Sequence, residues 1–386
     1  MSERSPALVF PVEEYKQRVA NVQRGMSEAG VDLLLVFWPE NLCYLTGYHT
    51  LGYHTFQALL VPASGEPIFF VRRINKTTVD ALAWIQRCDV FQDTENPIDV
   101  TARLITEGGW SRARVGIELD AWFLTTKNYQ ILCSKLPDMK VVDGSQIVNR
   151  VRLIKSPLEI QYIRQAARMA EASMRAAENT IRPGVRENEV AAEVHRALFN
   201  AGSEYLGHPP LLASGPRSAL NMVAWSDRMI GPNEPIQIEP GGCLHRYHAV
   251  FIRTLFTGEP DKEFRKLCDL SAEGMQNAID CMRPGITSGE VHDKVKEPAR
   301  KAGYANLAVS RAGYSIGIGF PPDWGEGRTF SLWQGDNSPL QANMTIHVTP
   351  VLWHERCQVG LSETVLVTEN GCDPITSYPR ELLICR

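Results

Sequence analysis

No stretch of this 386-residue chain approaches the roughly 20 consecutive apolar residues that cross a bilayer, so no membrane association is expected. Charge of one sign is scarce too. Forty Lys and Arg face 44 Asp and Glu, with no basic block, so a nucleic-acid partner is not expected. The start, Met1-Ser2-Glu3-Arg4, lacks the charged-then-apolar layout of an export signal. Nine cysteines are scattered without a Cys-x-x-Cys pair. That spacing argues against a disulfide framework or a zinc–thiolate site, and a cytoplasmic location is expected. Gly (29) and Pro (24) are too few for a disordered or collagen-like chain.

What remains is ordinary globular composition, 44% hydrophobic and 22% charged, in a length that suits two or three domains. Val12, Tyr15, Val19, Val22 and Met26 recur at helical spacing, and Gly30 is a stop signal. The apolar run 31–37 reads as a buried strand. Segments 58–62 and 67–71 flank Ala63-Ser64-Gly65-Glu66 as a hairpin, and 115–119 is a further strand. This alternation predicts an α/β domain over residues 1–152. Ser156-Pro157-Leu158-Glu159 reads as a capping box, and Ile160, Ile163, Ala167, Ala170 and Met174 share one face of the helix it opens.

The second region, 153–386, repeats itself. Arg182-Pro183-Gly184-Val185 with Glu189-Val190 recurs as Arg283-Pro284-Gly285-Ile286 with Glu290-Val291, at an offset of 101. Ile236–Pro240 and Arg253-Thr254 recur as Ile346–Pro350 and Glu363-Thr364, at an offset of 110. We read a duplicated α-α-β-β unit about a pseudo-two-fold axis. Glu239/Thr349 and Ile252/Ser362 should line a pocket where the halves meet.

These features resemble the creatinase/aminopeptidase P/prolidase family. The resemblance is carried by Lys155-Ser156-Pro157-x-Glu159, Ser214-Gly215, Arg253-Thr254 and Thr364-Val365-Leu366-Val367-Thr368-Glu369-Asn370-Gly371. It implies a creatinase-like N-terminal α/β domain (1–152), a pita-bread catalytic domain (153–386) and a homodimer. Metallopeptidases of the family bind two metal ions through two Asp, one His and two Glu. The resemblance puts Glu239, Val250, Tyr314, Thr349 and Ser362 at those positions, with Glu363 beside the last. Val250 can donate nothing, and the hydroxyls are poor ligands at neutral pH. No metal or other cofactor is therefore expected, nor Xaa-Pro peptidase activity. Residues 238–243, 313–326 and 342–348, with Gly47-Tyr48-x4-Gly52-Tyr53, are similar to the ectoine-hydrolase group. That similarity implies a small zwitterionic substrate and opening of a cyclic amidine, ectoine to N-acetyl-2,4-diaminobutyrate. A creatinase-type amidinohydrolase or another osmolyte-degrading enzyme, and a non-catalytic binding protein, are the alternatives.

For such chemistry Glu239 is the candidate partner of the amidinium, as general base or as nucleophile. Tyr314 is a candidate hydrogen-bond donor. His347 shares the strand face of Thr349 and is a candidate proton donor, as is His248, two residues before Val250. Glu363 is either catalytic or paired with Arg253. Asp323 and Trp324 sit in a Gly/Pro-rich loop and, with Trp225 and Thr349, are candidate substrate contacts. Trp38, Tyr48, Tyr53 and His54 form an expected aromatic cluster that either packs as core or, through Tyr53 and His54, caps a neighbouring subunit's site.

Overall fold

The structure, a computed structural model, describes residues 6–385. The Met1-Ser2-Glu3-Arg4 start lies outside the described residues. The chain divides into two compact units, Met1–Arg152 and Leu153–Arg386.

In the first unit the helix Val12–Ala29 buries Tyr15, Val19, Val22 and Met26, the face set by their spacing, and ends at Gly30 in the left-handed conformation (φ 64°). A six-stranded sheet runs in the order Cys88–Phe91, Ile68–Arg72, Gln57–Pro62, Leu33–Val36, Arg114–Ile117, Lys140–Asp143. Leu33–Val36 is parallel to Arg114–Ile117 and antiparallel to Gln57–Pro62, which forms the expected hairpin with Ile68–Arg72. The expected aromatic cluster does not form as a unit. Trp38 and Tyr53 both meet Phe123, at 5.6 and 6.0 Å, whereas Tyr48 packs on Phe69 in the core. His54 is exposed, its Nδ1 3.3 Å from the Leu51 carbonyl.

The second unit opens with the capping box. Ser156 Oγ accepts from Glu159 N at 3.2 Å, and Glu159 Oε2 accepts from Ser156 N at 2.8 Å. The helix Pro157–Thr180 then buries Ile163, Ala167, Ala170 and Met174, with Ile160 only half-buried. The duplication is visible bond for bond. Gly184 N donates to Ile230 O and Ile230 N to Val185 O; Gly285 N donates to Leu340 O and Leu340 N to Ile286 O. One side of each pair shifts by 101 and the other by 110, the two offsets read in the sequence. Each copy supplies a helix pair, Pro157–Thr180 with Glu187–Asn200 and Lys262–Cys281 with Ser288–Lys301.

The strands of the copies enter different sheets. Pro235–Glu239 and Arg253–Thr257 lie in a four-stranded sheet with Leu211–Ser214 and Leu383–Cys385. Thr345–Val348 and Glu363–Val367 lie in a seven-stranded one with Gly313–Phe320 and Tyr247–Val250. Between them, Val250 N donates to Thr364 Oγ1 and, at the duplicate-related positions, Gly360 N donates to Thr254 Oγ1. Ile252 N donates to Ser362 Oγ at 2.6 Å, a pair that the offset of 110 maps onto itself. The pseudo-axis therefore passes at Ile252 and Ser362. Among the described residues, no helix is long and apolar enough to cross a membrane.

Candidate active site

Antiparallel register puts Tyr314 directly opposite His347, on the strands Gly313–Phe320 and Thr345–Val348. Their rings meet edge to face at 5.1 Å, and His347 Nδ1 lies 2.9 Å from Tyr314 Oη. His347 Nε2 lies 2.7 Å from Ser362 Oγ. Trp324 Nε1 donates to Tyr314 Oη at 3.2 Å. Glu239, the last residue of Pro235–Glu239, brings Oε1 to 3.8 Å from His347 Nδ1. Five side chains from both copies thus meet beside the pseudo-axis: Glu239, Tyr314, Trp324, His347 and Ser362.

Burial decides their charges. It pushes the Glu239 carboxyl up to about 8, with Asp323 adding to the effect, and pushes His347 down to about 3, helped by the Arg311 charge. At neutral pH the acid is protonated and the imidazole neutral, so the 3.8 Å approach is a polar contact rather than an ion pair. Part of Tyr314 reaches solvent, yet burial and the nearby Glu239 hold its phenol well above the ordinary tyrosine range. Trp324 can only donate to Tyr314, and the Ile252 amide only to Ser362. Each hydroxyl keeps its own proton, and neutral His347 links the two.

The other expected site residues fall elsewhere. His248 is fully buried, with Nε2 accepting from Gly207 N at 3.0 Å and Nδ1 2.9 Å from the Arg246 carbonyl. Backbone groups consume both ring nitrogens, so it is unsuited to transfer a proton. Glu363, one residue beyond Ser362 and so on the opposite strand face, pairs with Arg253 at 2.5 Å and accepts from Thr376 Oγ1. Of its two expected roles the structure presents the ion pair. His347 joins the cluster, but a ring that resists protonation until about pH 3 is a poor proton donor to an amine. Trp225 packs on His195 at 5.0 Å, away from the cluster's hydrogen bonds. Thr349 turns Oγ1 to the Arg311 carbonyl at 3.5 Å. Tyr53 and His54 belong to the first unit. Asp323 is exposed, and its field reaches Glu239 and Tyr314.

Sequence reasoning missed three groups. Arg311 sits 4.4 Å over the Tyr314 ring and donates to Ser331 Oγ at 3.0 Å. His208 stacks on Trp324 with ring centroids 3.4 Å apart. Glu326 forms a buried pair with Lys155 at 2.7 Å and accepts from Ser315 Oγ at 3.0 Å, anchoring the hairpin that carries Trp324. Only Lys155, in its motif, carried a signal.

A pair of divalent cations does not fit this donor set. Such a pair needs several anionic oxygens, some of them bridging. Around Glu239 stand the apolar Val250, the hydroxyls of Tyr314 and Ser362 committed to His347, and Thr349 turned to a carbonyl. Glu363 is held by Arg253. Among the described residues, no group of three or more His, Cys, Asp or Glu is placed to hold a metal.

Residues 161–369 match the model of metallopeptidase family M24, and residues 18–154 that of the creatinase/prolidase N-terminal domain. An ectoine hydrolase of Halomonas elongata is 30% identical over 396 residues, covering 98% of this chain and 99% of that protein. The dipeptidase PepE of Mycobacterium ulcerans superposes with a TM-score of 0.85 at 22% identity, covering 97% of this chain and 99% of that one. The prolidase of Pyrococcus horikoshii gives 0.83 at 23% identity, with 95% and 100% covered. At those identities the two structures speak for the fold.

Proposed function

Because this chain belongs to metallopeptidase family M24, whose paired-cation chemistry its donor set does not fit, we propose that it is a metal-independent hydrolase opening a cyclic amidine, with ectoine the leading substrate. The observation that carries this reading is Glu239, a buried carboxyl that lies 3.8 Å from a neutral histidine. The 30% identity to an ectoine hydrolase supports the substrate class.

Ectoine pairs an amidinium with a carboxylate. The amidinium beside Glu239 supplies the missing countercharge and draws the proton off the carboxyl. Glu239 then takes a proton from water as the water oxygen bonds to the amidine carbon. It returns that proton to the ring nitrogen as the carbon–nitrogen bond breaks, and the proton left on the former water oxygen departs as the carbonyl forms and ends on the amine, leaving an acetamide and an ammonium. One carboxyl thus serves as base and then acid, which removes the need for His347 as proton donor. Tyr314, oriented by Trp324 and His347, donates a hydrogen bond to the oxygen that gains charge. Arg311, over the Tyr314 ring, is the cation for the substrate carboxylate. In the other use of Glu239, direct attack on the amidine carbon, a glutamyl adduct adds the mass of substrate to the intact chain, which mass spectrometry of quenched enzyme detects. The family resemblance supports a cytoplasmic homodimer.

The test is a panel of ectoine, hydroxyectoine, creatine and a Xaa-Pro dipeptide followed by NMR. Ring opening of ectoine is expected, with the dipeptide untouched. Turnover of creatine alone favours the amidinohydrolase, and tight binding of ectoine without product favours a binding protein.

A further inference from the structure

Trp324 was expected to wall the ligand, but it is 1% exposed and has no face left to offer. Its indole nitrogen is committed to Tyr314, and the ring is so close to Gly241 that a Cβ there would stand 2.9 Å away. The His208 ring covers it at 3.4 Å between centroids, tilted by 32°. His208 itself is only half-buried. Its Nδ1 lies 2.8 Å from the Pro209 carbonyl, which can only accept, so that nitrogen carries the proton and Nε2 the lone pair.

The loop that presents His208 is fixed from behind. Gly207 N donates to His248 Nε2, and a Cβ on Gly207 would fall 2.3 Å from the Asp323 carbonyl, so only glycine allows this approach. His248, unsuited to catalysis, is thereby a positioning residue for His208. The groups facing His208 are Asp323, on the Trp324 hairpin, and His248.

We propose that His208 is the flat surface against which the substrate's planar cation lies, backed by the Trp324 indole and flanked by the Asp323 carboxylate. This inference rests on the amidine reading above and names its cation subsite. The imidazole must be neutral to accept a cation. Burial already holds it below the ordinary histidine range, with Asp323 opposing. Acidification that protonates His208 sets two cations face to face and weakens binding.

The experiment titrates the full-length protein with benzamidine, a planar amidinium, and follows the histidine ring signals by NMR. It also measures KM and kcat for ectoine against pH, for the wild type, His208→Ala and His208→Phe. Benzamidine should shift the His208 signals. His208→Ala should weaken its binding roughly tenfold, a stacked cation's share. His208→Phe should keep the affinity and lose only the part of the acid weakening that sets in below the ordinary histidine range, keeping the part linked to Glu239. KM should follow binding, with kcat little changed. Unaltered benzamidine affinity in His208→Ala, or identical pH dependence in wild type and His208→Phe, overturns the proposal. Benzamidine binding through His208 without ectoine turnover upholds the subsite and removes the ectoine reading; turnover indifferent to His208→Ala does the reverse.

Discussion

The two halves of the duplicated unit share a frame of backbone hydrogen bonds and differ in what they carry to the axis. Where the second half has His347, Thr349 and Ser362, the duplicate-related positions of the first hold Gln237, Glu239 and Ile252. One half gives the acid, and the other, with Tyr314, the hydroxyl–imidazole chain. Their two buried glutamates sharpen the contrast. Glu363 pairs with its own duplicate-related position, Arg253, and the match closes that end of the axis. Glu239 has neutral His347 at 3.8 Å and the field of Asp323, so burial, with that field adding, holds its proton. The lesson is that a symmetric frame makes a site where its symmetry is broken, and a strut where the two positions complement each other.

The comparison can be broken by exchanging the roles. Glu239→Gln should lower ectoine turnover by about 10³-fold with folding intact, as NMR assay and circular dichroism will read. Glu363→Gln should leave turnover per folded molecule nearly unchanged. It should cost on the order of 3–5 kcal/mol in urea unfolding, because Arg253 is left as an uncompensated buried charge. The reverse outcome puts the working acid at Glu363. Tyr314→Phe should cost about 10²-fold in kcat, the share of one hydrogen-bond donor to a developing anion.

Two pH effects are smaller. A cationic substrate beside Glu239 favours its ionised form, so binding at about pH 7 should release close to one proton, measured as calorimetric heats in buffers of different ionisation enthalpy. For stability the sign is opposite to that of a salt-bridged acid. The folded carboxyl holds its proton up to about 8 while the unfolded one releases it near ~4.3. The resulting penalty is absent at low pH and grows up to about pH 8. Glu239→Gln should therefore raise the unfolding temperature, and by more at pH 8 than at pH 5.

Much of the frame was legible because it is local. The capping box at Ser156, the Pro-Gly turns and the two offsets each depend on a few neighbouring residues, and each reappears in the structure. Glu239 stood out because the repeat matched it with Thr349 and the family resemblance put it at a metal-ligand position. The two histidines could not be told apart, since both sit in apolar strands. What separates them is a glycine amide at 207 and a hydroxyl at 362, both remote in sequence. Trp324 was a candidate substrate contact because it sits in a Gly/Pro-rich loop, but His208, over a hundred residues earlier, covers its ring. In the first unit Phe123 was overlooked as the ring that Trp38 and Tyr53 share.

The most direct measurement follows ectoine by NMR with protein freed of metals by chelator, its metal content determined on the same sample. The account predicts undiminished ring opening with far less than one Mn, Co or Zn per chain. Turnover that vanishes with the metal and returns on adding a divalent cation contradicts it.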